Sequence, residues 1–203
     1  MVRCIYCRRW TIEKIRVCRW CTETHRDVWN TILPPESTYA NTDMTKLLGA
    51  HPRLAKQYQQ ILSWNPDRKL GLLVHGPTGV GKSRCCWTML RRMHDAGYSV
   101  FGIQATALGN KISEAFFAGH GVKLMQTIGD HDIVFIDDID KIKTTERVEC
   151  ELFALIERLC SEKRLIITTN LCGDAFEAKF THSIGAPLLR RLHEFCIPIG
   201  MHA

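Results

Sequence analysis

Eight consecutive residues have the types and the spacing of a phosphate-binding loop. They fit the pattern G-x-x-x-x-G-K-[ST] without a mismatch, and in order they are Gly76, Pro77, Thr78, Gly79, Val80, Gly81, Lys82 and Ser83. In such a loop the glycines let backbone N–H groups turn inward around the phosphates, and the following helix adds partial positive charge. We expect Lys82 to reach the β- and γ-phosphate oxygens and Ser83 to ligate Mg²⁺. The loop predicts that the chain binds ATP together with Mg²⁺.

An apolar run that ends in carboxylates supplies the acid that a phosphate loop requires. Ile133–Ile136 is followed by Asp137 and Asp138, which is the pattern of a strand that delivers an acid to Mg²⁺. We expect Asp137 to act at the magnesium ion and Asp138 to polarise the attacking water. The side chain of Asp138 is a methylene shorter than the glutamate usual at that position, which predicts weaker water activation. Asp140 is the alternative for either role.

Asn170 closes the polar triplet that ends another apolar segment, residues 165–169. Taken alone, an asparagine after a strand is a common turn former. Its place after the two preceding motifs favours a sensor, in which the amide orients the attacking water or contacts the γ-phosphate. The three motifs in this order predict an ATPase.

The elements that must position these residues alternate along the chain from Met44 onward. Strands are predicted at 70–75, 99–103, 133–137, 165–169 and 195–199. Helices are predicted at 44–63 with a break at Pro52, 83–96, 106–129 with a break near 119–121, 145–163, 174–180 and 185–194. Strands that alternate with helices predict an α/β fold, in which helices cover both faces of a parallel sheet.

With these motifs in this order, residues 36–200 resemble the DnaC/IstB-type branch of the AAA+ ATPases, which includes helicase loaders and transposition helper ATPases. The resemblance implies a P-loop NTPase core. It also extends to residues 185–192, which in the family form a helix whose arginine enters the ATP site of the neighbouring subunit. The matching residue is Arg191, with Arg190 as the alternative. Because the chain ends at Ala203, we expect no helical lid and no second sensor arginine.

The resemblance also implies partners. Members of the family assemble as ATP-bound homo-oligomeric rings or spirals on single-stranded DNA, and helicase loaders grip the replicative helicase with an N-terminal module. We therefore expect an ATP-hydrolysing assembly factor that loads a replicative helicase onto single-stranded DNA. The alternatives are an IstB-like helper ATPase for a transposase and a P-loop kinase that acts on a small molecule. Candidates for a DNA-facing pore are Lys111, Lys123, Lys141 and Lys143.

Four cysteines near the N-terminus have the spacing of a zinc ribbon. Two C-x-x-C pairs are separated by ten residues, and their members are Cys4, Cys7, Cys18 and Cys21. A structural Zn²⁺, worth ~10–16 kcal/mol in finger peptides, would be enough to fold so short a segment. His25 could substitute for Cys21, and disulfides or free thiols are the alternatives. For the other six cysteines we expect buried core positions: Cys85, Cys86, Cys150, Cys160, Cys172 and Cys196.

Composition and charge indicate how the chain is divided into domains. The 203 residues, of which 45% are hydrophobic and 24% charged, exclude wholesale disorder and suit a compact domain with a small appendage. We expect a zinc-ribbon module at 1–29, a linker at 30–43 and the ATPase core at 44–203. Of the net charge of +6, seven basic against three acidic residues place +4 in the module.

The partner of the module is predicted from its aromatic residues and its charge. Trp10, Trp20 and Trp29 lie among these basic residues, which suits stacking on single-stranded nucleic acid or, as we prefer, contact with a protein. The chain has no apolar run that could span a bilayer, and its N-terminus lacks the apolar core of a signal peptide. We therefore expect no membrane partner and a location in the cytoplasm of a bacterium or a phage-infected host.

Overall fold

The computed structural model describes residues 2–3, 10–11, 29–33, 37–66, 70–162 and 164–202. Near the N-terminus, β1 (Val2–Arg3) and β2 (Trp10–Thr11) form an antiparallel pair. The other strands are β3 (Gly71–His75), β4 (Val100–Gln104), β5 (Ile133–Asp137), β6 (Arg164–Thr169) and β7 (Cys196–Gly200). They form a 5-stranded sheet in the order β4-β5-β6-β3-β7, and every neighbouring pair is parallel.

Two layers of helices cover this sheet. The helices are α1 (Met44–Ala50), α2 (Ala55–Leu62), α3 (Lys82–Asp95), α4 (Ala105–Phe117), α5 (Gly121–Gly129), α6 (Glu146–Glu162), α7 (Gly173–Glu177) and α8 (His182–Phe195). One layer contains α4 to α8, and the other contains α2 and α3. In the described part of the chain, no helix is both long and apolar enough to cross a bilayer.

The strands are buried on both faces because they are nearly continuous apolar runs. In β5, Val134 and Ile136 belong to the core under α4 to α8, whereas Ile133 and Phe135 belong to the core under α2 and α3. Every residue of β5 is buried, including Asp137 at its carboxyl end. The predicted α/β fold, with helices on both faces of a parallel sheet, is confirmed.

The strands that carry the three motifs are neighbours in the sheet. β6 lies between β5 and β3. At the carboxyl ends of β6 and β3, Thr169 pairs with His75. The carboxyl ends of parallel strands meet at the same edge of the sheet, which is where α/β proteins bind ligands. The polar residues that follow β3, β5 and β6 are therefore brought together at this edge.

Two expectations from the sequence need correction. Cys150 lies on the exposed side of α6 and Cys172 lies in the exposed turn before α7, whereas the other four cysteines outside the predicted zinc ribbon are buried. Trp29 does not present its ring for stacking on nucleic acid, because only 4% of its surface is exposed. Residues 29–32 are helical, and Trp29 and Leu33 pack with α3 in the core of the protein.

Candidate functional site

The phosphate loop connects β3 to α3, and glycines at both of its ends shape it. Gly76 has a φ of 146°, and a Cβ there would lie 2.3 Å from the carbonyl oxygen of Met201. Gly81 has a φ of 83° directly before α3 begins, and a Cβ there would lie 2.6 Å from the side chain of Leu47. Both positions therefore require glycine. The curl that the motif predicts is present, with the N-terminus of α3 at the loop.

The ammonium group of Lys82 is held inside this loop. Its Nζ donates to the carbonyl oxygens of Gly76 and Pro77, at 2.8 and 2.9 Å, and to Oδ1 of Asn170 at 2.9 Å. Burial lowers the pKa of Lys82 below its ordinary value, although the nearby carboxylates, Asp138 first, oppose this effect. The structure thus brings the predicted lysine and the predicted sensor asparagine into direct contact.

Asp137 and Ser83 form the predicted magnesium site. Oδ1 of Asp137 accepts hydrogen bonds from the hydroxyls of Ser83, at 2.7 Å, and Thr168, at 2.6 Å. The side chain of Asp137 is buried, and burial raises the pKa of its carboxyl group, although these hydrogen bonds oppose the shift. A serine hydroxyl beside a carboxylate offers the oxygen donors that Mg²⁺ prefers, so these residues could hold the ion.

Asp138 lies beside this pair in an unusual backbone conformation. Its φ is 53°, in the left-handed region that few residues other than glycine adopt. Its N–H donates to the hydroxyl of Thr168 at 2.7 Å, and its carboxylate forms an ion pair with Lys141. Lys141 therefore neutralises a carboxylate at the site. It is exposed, as are the other lysines predicted for a DNA-facing pore, Lys111, Lys123 and Lys143.

Asp140, which the sequence offered as the alternative to Asp137 and Asp138, lies against Asn170. Its carboxylate accepts from the backbone N–H and from Nδ2 of Asn170, both at 2.9 Å. Burial would raise the pKa of Asp140, but the hydrogen bonds from Asn170 outweigh it, so that the pKa lies below its ordinary value. With its backbone N–H and its side-chain Nδ2 both bonded to Asp140, Asn170 turns Oδ1 toward Lys82 and toward the hydroxyl of Thr78, at 3.2 Å.

Arg190 and Arg191 lie on α8. Nε of Arg191 donates to Glu157 at 2.8 Å, and Nη1 donates to Glu194 at 3.1 Å, whereas Arg190 is exposed. In the part of the chain that the structure describes, neither arginine contacts the phosphate loop. The structure therefore does not bring the predicted arginine to the site of its own chain.

Several residues at the site were not predicted from the sequence. A cavity of about 330 Å³ over the phosphate loop is also lined by Thr38, Tyr39, Leu47 and Arg84. Nε1 of Trp87 donates to Oδ2 of Asp137 at 3.3 Å. Thr168 was part of the polar triplet that drew attention to Asn170, but no sequence signal distinguishes Tyr39 or Trp87 from ordinary core residues.

The predicted zinc ligands lie outside the described residues: Cys4, Cys7, Cys18 and Cys21. In the described ranges, no group of three or more His, Cys, Asp or Glu side chains is arranged to hold a metal ion. The zinc ribbon therefore stays a prediction, carried by the spacing of the cysteines.

Comparisons with known proteins add a family and a fold. A family model described as IstB-like ATP binding protein matches residues 11–200. A search of curated proteins finds no match. Among solved structures, AMPPCP-bound DnaA from Aquifex aeolicus has a TM-score of 0.61 and 19% identity, over 84% of this chain and 51% of that chain. DnaA bound to AMPPCP and single-stranded DNA has a TM-score of 0.64 and 21% identity, over 84% and 51%.

The structure of the DnaC helicase loader is also similar. Its TM-score is 0.60 at 17% identity, over 87% of this chain and 99% of that chain. This chain spans about half the length of the DnaA chains that it matches. At such identities the similarity concerns the fold, and it shows the AAA+ P-loop architecture that the sequence predicted.

Proposed function

This chain belongs to the family of IstB-like ATP-binding proteins, and from that premise we propose that it is an ATP-hydrolysing assembly factor that loads a replicative helicase onto single-stranded DNA. The observation that carries the ATPase part is the convergence of Lys82, Ser83, Asp137 and Asn170 on one phosphate pocket. The helicase part is supported by the fold shared with a DnaC helicase loader over 99% of that chain.

The proposed chemistry assigns a role to each group at the site. The loop N–H groups and Lys82 bind the phosphates, and Ser83 and Asp137 hold Mg²⁺. When bound, the ion neutralises charge that develops on the phosphoryl oxygens. Asn170 orients a water molecule and Asp138 polarises it, so that the water oxygen bonds to the γ-phosphorus as the bond to the ADP oxygen breaks. The products are ADP and inorganic phosphate.

The geometry of Asp138 supports slow hydrolysis by an isolated subunit. Its side chain is short and is already paired with Lys141, so it is less available to a water molecule at the γ-phosphate. We infer that hydrolysis accelerates when a neighbouring subunit supplies Arg191, with Arg190 as the alternative. The ion pairs of Arg191 with Glu157 and Glu194 are exposed, and exposed ion pairs contribute little to stability, so a neighbour could displace them readily.

Assembly into an ATP-bound ring or spiral in the cytoplasm completes this proposal. In it, the zinc ribbon contacts the helicase and the exposed lysines face single-stranded DNA. The solved structure of DnaA with single-stranded DNA shows that a protein of this fold can bind such a strand. The electrostatic part of the binding should weaken steeply as the salt concentration rises.

A second candidate is a helper ATPase for a transposase, which the family match favours as directly as helicase loading. Affinity isolation of the full chain with ATP and Mg²⁺ tests both. Recovery of a hexameric helicase with the wild type, lost with Lys82→Ala, supports the loader. Recovery of a transposase supports the helper, and recovery that does not depend on ATP contradicts an ATP-switched assembly factor of either kind.

A further inference from the structure

Trp87 is the donor that fixes the second oxygen of the Asp137 carboxylate. Ser83 and Thr168 both donate to Oδ1, whereas the indole N–H of Trp87 donates to Oδ2 at 3.3 Å. Trp87 follows Ser83 by one turn of α3, so the same helix that supplies the serine ligand also supplies this donor. The orientation of the carboxylate at the magnesium site thus depends on where the indole lies.

Tight packing fixes the indole. Only 3% of the surface of Trp87 is exposed, and Phe135 meets its ring edge-on with the centroids 5.0 Å apart. A Cβ on Gly102 would lie 2.5 Å from the ring, so β4 also approaches it as closely as its backbone allows. β4 and β5 thus limit the ring on two sides, and its further aromatic neighbours are Tyr39 and Trp29.

Those neighbours belong to the segment that precedes α1. We call residues 29–33 and 37–43 the strap. The ring of Tyr39 stacks on Trp87 at 6.4 Å with an interplanar angle of 15°, and Trp29 meets Trp87 edge-on at 6.5 Å. Arg84 donates to the carbonyl oxygen of Thr38 at 2.7 Å. The strap therefore rests on the face of α3 that also carries Trp87.

Tyr39 brings the strap to the magnesium site itself. Its hydroxyl lies beside the hydroxyl of Ser83 and near the carboxylates of Asp137 and Asp138. Tyr39 also lines the cavity over the phosphate loop. Tyr39 is therefore a neighbour of the residues that would hold the ion. The strap thus reaches the magnesium site by two routes, directly through Tyr39 and indirectly through Trp87.

We propose that Trp87 is a positioning residue of the magnesium site and that, with Tyr39, it couples the binding of Mg²⁺ and nucleotide to the strap, which leads to the N-terminal module. The inference rests on the proposed function, because it assigns a control to the same ATP site. A partner that moves the strap therefore changes the affinity of the site for Mg²⁺. Because such coupling is reciprocal, Mg²⁺ changes the affinity of the chain for that partner by the same factor. A protein bound to the module can therefore change the affinity of the ATP site for Mg²⁺.

The first experiment separates positioning from structure with matched tryptophan variants of the full chain. Trp87→Phe keeps an aromatic ring and removes the N–H. Trp64→Phe is the control, because Trp64 is equally buried but donates its N–H to the carbonyl oxygen of Leu70, at 2.9 Å. Binding of a fluorescent ATP analogue is titrated with Mg²⁺ and is also measured in EDTA.

For Trp87→Phe we expect the Mg²⁺ concentration at half-maximal effect to rise about three- to tenfold, as for the loss of one ordinary hydrogen bond, because the bond from the indole is long at 3.3 Å. Nucleotide affinity in EDTA stays at the wild-type value, and Trp64→Phe leaves both quantities unchanged. A wild-type Mg²⁺ dependence in Trp87→Phe overturns the inference and leaves the proposed function standing. A wild-type chain that binds no nucleotide overturns both.

The second experiment tests the coupling and uses Tyr39→Ala, a change at a half-buried position that does not threaten the core. Amide hydrogen exchange of residues 37–43 is compared with a non-hydrolysable ATP analogue bound, in Mg²⁺ and in EDTA. We expect Mg²⁺ to change the exchange rates in the wild type and in Trp64→Phe. The change should be absent in Trp87→Phe and in Tyr39→Ala. Equal exchange of the wild-type strap with and without Mg²⁺ overturns the coupling.

Discussion

The phosphate site and the arginine pair on α8 carry charge in different surroundings. At the phosphate site, 0% of Asp137 and 5% of Lys82 are exposed, and side chains from three neighbouring parts of the sheet edge hydrogen-bond to them. On α8, Arg191 is 35% exposed and pairs with carboxylates that are 40% and 54% exposed. Buried charge-assisted hydrogen bonds contribute far more than exposed ion pairs.

The difference separates the groups that one chain holds in place from those that a neighbouring subunit is proposed to use. Buried hydrogen bonds within one chain fix the geometry of the phosphate site. Arg191 forms exposed ion pairs, which water and salt weaken, and this suits the proposed transfer of its side chain to a neighbouring subunit. The following predictions test this contrast, beginning with the largest effect.

Replacement of Arg191 tests whether the exposed region acts on another subunit. Arg191→Ala should leave ATP binding nearly unchanged and lower hydrolysis by the assembled protein by ~10³–10⁵-fold, because an arginine finger stabilises transition-state charge. Arg190→Ala is the matched control. Turnover is measured alone and after mixing with Lys82→Ala subunits, where we expect partial recovery. No recovery would argue against action in trans, and loss in the control alone would assign the role to Arg190.

Replacement of Lys82 tests the buried region within one chain. Lys82→Ala should weaken ATP binding by roughly 100-fold, about 2.7 kcal/mol, because a charge-assisted contact to the phosphates is lost. Calorimetry with ATP and Mg²⁺ measures this affinity. Lys111→Ala, which removes an exposed lysine of α4, should bind ATP as the wild type does. Equal affinities of the two variants would contradict the assignment of the loop.

Replacement of Asp140 tests the hydrogen bonds that hold Asn170. The pKa of Asp140 lies below its ordinary value of 3.8, so its stabilising contribution is present above that pH and is lost as the pH falls. Asp140→Asn should be less stable than the wild type by about 1–2 kcal/mol at pH 7. Thermal unfolding should show this difference shrinking below pH 4. A difference that grows on acidification would contradict the assigned direction of the pKa shift.

Replacement of Glu157 should have the smallest effect. Glu157→Gln removes one partner of Arg191, and since the pair is exposed, the free energy of unfolding should change very little. Urea unfolding at low and high salt measures this, and any difference should vanish at high salt. A large loss of stability that persists at high salt would contradict the contrast between the two regions.

The sequence was sufficient for features that depend on neighbouring residues. Apolar runs and glycines located β3, β5 and β6 to within about a residue of their observed bounds, and the loop motif located the start of α3. Asp137 and Ser83 were each predicted to act at the magnesium ion, from the apolar run before Asp137 and from the loop motif. In the structure their side chains share a hydrogen bond, and their role at the ion stays a prediction.

Features that depend on packing between distant segments could not be predicted. Trp87 and Asp137 are separated by 50 positions in the sequence, and Asp140 and Asn170 by 30. Neither contact has a local pattern. The exposure of Cys150 depends on the rotational phase of α6, which composition does not specify. In the sequence, Trp29 follows a run of basic residues and therefore looked like part of a basic surface. Its burial results from packing against α3, which is distant in the sequence.

The left-handed backbone at Asp138 limits how this site can be altered. A short aspartate tolerates a φ of 53° better than a longer acid does, because its side chain can bond to the local backbone. A glutamate at this position would extend the carboxylate but would oppose the turn by roughly 1 kcal/mol. Stereochemistry of the turn therefore favours the short acid here. In the role proposed for Asp138, a longer acid would require a differently shaped turn after β5.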